Sequence, residues 1–182
     1  MLTPGSKAPE FNTKACVSIE KGKEFADLTS KQFEGKWVVF YTYPKDFTFV
    51  CPTEIVEFDK KTKDFADRGA VVLGGSTDNE FSHLAWRQQH ADLKGIKHPL
   101  LFVNPSMAQG FGLLQPAAGV ALRATFIIDP QGVVRYVSAN DLSVGRNVDE
   151  VLRVLDGLQT DELCPCNWKK GEETLTQKLK KG

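Results

Sequence analysis

One stretch constrains this chain more than any other. Trp37-Val38-Val39-Phe40-Tyr41-Thr42-Tyr43 is an almost unbroken apolar, β-branched and aromatic run, closed by Pro44, and Cys51-Pro52-Thr53-Glu54 follows a few residues later. The run reads as a buried strand. Pro44 ends it, because proline supplies no ladder donor and restricts the residue before it. Beyond Cys51, Ile55, Phe58, Thr62 and Phe65 recur at helical spacing and Gly69 stops the pattern, which predicts an amphipathic helix of about four turns. Cys51 therefore opens a helix directly after a strand and turn. Free backbone N–H groups and the positive end of the helix dipole favour an anion there. A thiol so placed is expected to ionise more readily than a free one, and the thiolate is the nucleophile. The competing reading is a small packed residue at the top of a strand, since free cysteine is among the most buried residue types.

The rest of the chain continues an alternation of strands and helices. Lys14 to Leu28 alternates weakly about Lys21-Gly22-Lys23, a hairpin with Cys16 in its first strand. Cys16 reads as a packed apolar residue, because nothing ionisable sits at a useful sequence spacing. Ala70–Ser76 is a second buried strand. Asn79–Asp92 is helical, with Phe81, Leu84, Ala85 and Gln88 along one face. Pro99–Val103 is a third strand, and Ser106–Leu114 a short helix carrying glycines. Thr125–Asp129 and Val133–Val137 flank Pro130-Gln131-Gly132 as a β-hairpin. Asn147-Val148-Asp149-Glu150 resembles a capping box before Val151, Leu152, Leu155 and Leu158. This order predicts an α/β, thioredoxin-like fold with an N-terminal β-hairpin and helices on both faces of an open sheet. The whole chain, 1–182, is expected to be one domain, with 160–182 a polar C-terminal tail that is mobile.

Bulk properties narrow the function. At 182 residues the chain can bury a core without disulfide staples. Lys plus Arg and Asp plus Glu number 23 each, so no net charge points to nucleic acid or an anionic membrane as partner. No apolar run approaches the roughly 20 residues of a membrane span. Met1 to Pro9 has neither the charged start nor the apolar core of a secretory signal, and a cytoplasmic location is expected. Four cysteines are too few for a secreted disulfide scaffold, so a thiol placed like Cys51 reads as redox-active or catalytic. His83, His90 and His98 show no metal-type spacing.

Thr48 lies three residues before Cys51 and Pro44 seven before it. Pro-x-x-x-Thr-x-x-Cys, here Pro44, Thr48 and Cys51, resembles the active-site motif of the peroxiredoxins. The wider run Phe47-Thr48-Phe49-Val50-Cys51-Pro52-Thr53-Glu54 is similar to their typical two-cysteine subgroup, which includes the bacterial alkyl hydroperoxide reductase C proteins. The resemblance spans roughly Gly5 to Leu175. It implies that Cys51 attacks a peroxide, that Thr48 and Arg123 bind the peroxide oxygens, and that Pro44 shields the sulfur. Arg123 matches the family arginine just before the Thr-Phe-Ile-Ile-Asp strand. Glu54 orients that arginine or stabilises the helix dipole. Arg146 matches a second arginine of the same ion-pair network, and Trp86 either a family tryptophan near the pocket or an ordinary core aromatic.

Leu163-Cys164-Pro165-Cys166-Asn167-Trp168 is similar to the family context of the resolving cysteine. The resemblance implies that the partner subunit's Cys164 condenses with the Cys51 sulfenic acid, and that a dithiol reductant, a dedicated flavoprotein or a thioredoxin, reopens the disulfide. Cys166 departs from the family pattern and is a backup resolver, a disulfide shuffler or incidental. A Cys-x-Cys metal clip lacks a second half. No metal, haem or flavin is called for. A homodimer is implied, assembling into a decameric ring. The Tyr-Phe helix and the Gly-Gly-Leu-Gly insertion of members sensitive to over-oxidation are missing, which predicts resistance to sulfinic-acid formation. Two rivals stand beside the peroxidase. A disulfide oxidoreductase would need Cys-x-x-Cys where Glu54 stands, and a redox sensor or holdase chaperone would use the same cysteines.

Overall fold

The apolar run Trp37–Thr42 is an inner strand of a seven-stranded sheet. The computed structural model describes residues 1–181. In chain order the strands are β1 (Asn12–Cys16), β2 (Phe25–Thr29), β3 (Trp37–Thr42), β4 (Ala70–Ser76), β5 (Leu100–Phe102), β6 (Leu114–Gln115), β7 (Val120–Ala121), β8 (Arg123–Ile128) and β9 (Val134–Asn140). The helices are α1 (Cys51–Lys60), α2 (Thr62–Ala66), α3 (Glu80–Gln89), α4 (Pro105–Phe111), α5 (Val148–Thr160) and α6 (Leu175–Leu179). The main sheet runs β2-β1-β5-β4-β3-β8-β9, with β6 and β7 a separate ribbon. By contacts the described residues form two units, Met1–Arg146 and a second that begins at Asn147.

In the first unit β3 pairs parallel with β4 and antiparallel with β8. Side chains alternate across β3, as the pleat requires. Phe40 packs edge-on against Phe111 of α4, with ring centroids 5.1 Å apart, and Phe126 of β8 completes the cluster. On the opposite face Tyr41 stacks on Phe58 of α1 at 4.0 Å. The expected single helix after Cys51 is two pieces, α1 and α2, interrupted at Lys61. The Thr62 hydroxyl there donates to the Asp59 carbonyl, a local bond that competes with the helical ladder.

The predicted hairpins form. Cys16 pairs with Phe25, and the tight return from β8 to β9 is closed by Asp129, whose carboxylate accepts from the amides of Gln131 and Val133, with Gly132 at φ +75°. The α3 helix buries polar residues rather than its apolar stripe. On α3 the buried residues are His83, Trp86 and Arg87, whereas Phe81 and Gln88 are exposed. Hydrophobicity pointed the wrong way because His83 and Arg87 find hydrogen-bond partners inside, which removes the penalty of burying them.

In the second unit α5 is capped by Asn147, which accepts from the Glu150 amide. The segment after α5 makes contacts of its own. Trp168 is buried, its indole N–H donates to the Glu172 carbonyl, and the Leu175 amide donates to the Leu163 carbonyl. One large aromatic side chain supplies the apolar burial that a charged tail otherwise lacks.

Candidate active site

Cys51 is the first residue of α1, just past the loop that leaves β3 at Pro44. Because β8 runs antiparallel to β3, its first residue, Arg123, lies at the end of the sheet where β3 finishes and the loop to Cys51 begins. Both Nη atoms of Arg123 lie 3.7 Å from the Cys51 sulfur. The sulfur and the guanidinium are almost wholly buried, at 1% and 2% exposure.

A guanidinium stays charged and must be partnered when buried. Arg123 Nη1 is paired with Glu54 Oε2, and Nη2 donates to the Leu142 carbonyl at 2.7 Å. Its Nε is a buried donor with no partner among the described residues. Glu54 lies one helical turn beyond Cys51 and so shares its side of α1. Its carboxylate also accepts from Arg146: from the backbone amide at 2.9 Å, from Nε at 2.8 Å and from Nη2 at 2.8 Å. Arg146 Nη1 is given to the Ala124 carbonyl at 2.7 Å. One carboxylate thus lies between two guanidinium groups, leaving a net positive charge beside the sulfur.

A profile of the AhpC/TSA family matches residues 4–137. Alkyl hydroperoxide reductase C of Mycolicibacterium smegmatis is 52% identical over 184 aligned residues, covering 96% of this chain and 94% of that protein. The thioredoxin peroxidase of Echinococcus granulosus is 43% identical, covering 94% and 91%. Among solved structures, AhpC of Mycobacterium tuberculosis superposes with a TM-score of 0.84 at 48% identity, over 93% of this chain and 99% of that one.

The chain belongs to the AhpC/TSA family.

It therefore has the thioredoxin-like fold of the peroxiredoxins and is a thiol-dependent peroxidase. Within this peroxiredoxin the residues singled out from sequence do not all converge on the sulfur. The Thr48 hydroxyl donates to the Lys45 carbonyl at 2.9 Å, so in this state it braces the loop. Pro44 is buried in the turn that leaves β3. Phe47, between them, holds a left-handed backbone at φ +56°, a strained conformation for an aromatic residue. Trp86 is buried with its ring 6.0 Å from both Tyr43 and Phe47. It therefore supports the loop carrying Pro44 and Thr48 from behind.

All four cysteines are free thiols. In the second unit Cys164 is half-buried, with its sulfur 3.5 Å from the Thr160 hydroxyl, while Cys166 is exposed. Cys16 has an ionisable neighbour that spacing could not show: Arg87 Nη1 lies 3.7 Å from its sulfur and 3.3 Å from its carbonyl. Burial pushes the Cys16 thiol up, and Arg87 only partly offsets that.

Two polar clusters have almost no signature in the sequence. Asp46, in the Cys51 loop, accepts from the Tyr43 hydroxyl at 2.9 Å and the Ser82 hydroxyl at 2.9 Å, and lies 2.7 Å from His83 Nδ1. In the second cluster His98 bridges Tyr41 and Asp59. The only sequence signal for either was a tyrosine inside an apolar strand, since a buried phenol needs a partner. Among the described residues, no group of three or more His, Cys, Asp or Glu side chains could hold a metal ion. Among them, too, no helix is long and apolar enough to cross a membrane.

Proposed function

We propose that Cys51 is the peroxide-reacting thiol and that Cys164 of the partner subunit resolves it. The observation that carries this reading is the pair of Arg123 Nη donors at the buried Cys51 sulfur, with Glu54 and Arg146 fixing the guanidinium. Fixed guanidinium donors at a buried sulfur are placed to stabilise negative charge that develops as the sulfur reacts. The unpartnered Nε of Arg123 supports a further role in holding a peroxide oxygen.

In the first step the Cys51 thiolate attacks one peroxide oxygen in line. The S–O bond forms as the O–O bond breaks, the electron pair leaves on the distal oxygen, and that oxygen takes a proton to depart as water or alcohol. Arg123 stabilises the growing charge, and Thr48 joins once its hydroxyl turns from the Lys45 carbonyl to the substrate. Pro44 and Trp86 keep the loop closed. The Cys51 sulfenic acid then condenses with the Cys164 thiol, releasing water and forming the disulfide. A thioredoxin-type dithiol, or a dedicated flavoprotein reductase, returns both thiols by exchange.

A homodimer, and a decameric ring of such dimers, is the assembly we assign. It is supported by β9 standing at the sheet edge and by Phe49 and Phe47, 94% and 53% exposed beside the site. Cys166 is assigned as a second, exposed resolving thiol, and the cytoplasm as the reducing compartment in which the cycle turns over.

Peroxide consumption with a dithiol reductant tests the reading. Cys51→Ser should abolish it. Cys164→Ser should keep a single turnover but lose the disulfide-linked dimer on a non-reducing gel, and a linked dimer persisting there would transfer the role to Cys166. Peroxide consumption by Cys51→Ser at the wild-type rate would overturn the proposal.

A further inference from the structure

Arg146 is held to Glu54 through its edge, and it also lies against the stacked Tyr41 and Phe58 rings. Its Cζ is 5.0 Å from the centroid of the Tyr41 ring and 5.8 Å from that of Phe58. The edge bonds set where the guanidinium points; the aromatic pair sets how closely it can settle. Tyr41 is fixed in three ways. Its ring stacks on Phe58 at an interplanar angle of 7°. Its far end lies against the β4 backbone at Gly74, where an added Cβ would come within 2.6 Å of Tyr41 Cζ and Oη. Its hydroxyl meets His98 Nε2 at 2.7 Å.

The proton positions follow from chemistry. Asp59 Oδ1 lies 3.1 Å from His98 Nδ1 and accepts from the Lys97 amide at 2.6 Å. A carboxylate only accepts, so Nδ1 carries the proton, and in the neutral ring Nε2 is then the acceptor for the Tyr41 O–H. Burial pushes His98 below the ordinary imidazole range despite Asp59, and pushes the Tyr41 phenol well above its own. The imidazole is thus neutral and the phenol protonated at neutral pH. A phenol donating to an imidazole backed by a carboxylate has an electron-rich ring, which strengthens its attraction for a cation on its face.

We infer that Tyr41, held by His98 and Asp59, is a positioning residue for the peroxidatic thiol, acting through Arg146 and Glu54 on Arg123. It holds the cation that shares Glu54 with Arg123, and so sets how much of the Arg123 charge reaches Cys51. The inference rests on Cys51 being the reacting thiol.

The groups facing His98 are Tyr41 from β3, Asp59 from α1 and, through space, Arg87 from α3. Tyr41→Phe keeps the ring and removes only the donated proton; His98→Leu keeps the phenol and removes its acceptor. Two readouts are taken on folded protein. One is the second-order rate of Cys51 oxidation by hydrogen peroxide. The other is the pH profile of Cys51 alkylation by iodoacetamide, followed on the Cys51 peptide by mass spectrometry. Each variant should slow oxidation about threefold and move the alkylation midpoint up by about half a pH unit, as expected for partial loss of an interaction of cation–π strength. A purely structural role would lower the melting temperature and leave both readouts in place. Unchanged rate and midpoint in either folded variant would overturn the inference. Continued peroxide consumption by Cys51→Ser would instead remove the reading beneath it.

Discussion

Replacing Glu54 by glutamine tests the charge arrangement of the site most directly. The carboxylate receives four bonds: Oε1 from the Arg146 amide and Nε, Oε2 from Arg146 Nη2 and Arg123 Nη1. Its side chain and those of both arginines are no more than 3% exposed, so little solvent screens the loss. Glutamine preserves the shape but has one acceptor. Whichever way the amide turns, its NH₂ faces two N–H donors, and two buried guanidinium charges lose the carboxylate they share. Removing one partner of a buried ion pair costs about 3–5 kcal/mol. For a chain of this size that corresponds to a fall in melting temperature of about 6–20 °C. The control is Glu57→Gln on the outer side of α1. Glu57 meets Lys60 at 3.2 Å with the two side chains 41% and 65% exposed, and such a pair is worth at most about 1 kcal/mol. Urea denaturation followed by circular dichroism, at one fixed protein concentration because assembly contributes to apparent stability, gives both values. Equal losses for the two variants, or a Glu54→Gln loss below about 1 kcal/mol, would refute the claim that this carboxylate holds two buried cations.

Three further outcomes are expected. Iodoacetamide should label Cys166 at once in the native protein and Cys16 only on unfolding, because Cys16 has no exposed surface and burial raises its thiol; native labelling of Cys16 at the Cys166 rate would contradict this. Stability should fall as pH drops below about 6.5, since the unfolded chain protonates its histidine there while burial keeps His98 neutral to lower pH. His98→Leu should flatten that decline by up to about 1.4 kcal/mol per pH unit, and parallel urea-midpoint curves for variant and wild type would remove His98 as a cause. Trp168→Ala should free the segment after α5, because the indole is the large buried group there. Limited proteolysis should then cut between residues 161 and 174 at least tenfold faster, and an unchanged cleavage rate would show that other contacts hold it.

Much of the first unit was legible in local pattern. The unbroken apolar run at Trp37–Thr42, the proline after it and the helical period from Cys51 each follow from short-range physics: a pleat buried on both faces, a missing N–H, a 3.6-residue repeat. What misled was polarity on a buried face. His83 and Arg87 look like surface residues until Asp46 and the carbonyls of Cys16 and Ile96 are seen beside them. Likewise Lys169 and Lys170 made the end of the chain look loose, although Trp168 between α5 and α6 buries its ring.

The amino-acid order by itself placed a cysteine at a helix start after a buried strand, set arginines at residues 123 and 146, and put a second thiol pair near residue 164. Those are properties of neighbours in the chain. Only the tertiary structure decided which charges meet. The antiparallel pairing of β3 with β8 delivers Arg123 to Cys51 from 72 residues away. Glu54 joins both arginines, and a tyrosine in the strand core packs against Arg146. Coulomb and cation–π interactions act over a few ångströms regardless of separation along the chain, so their partners appear only once the sheet has brought distant residues together.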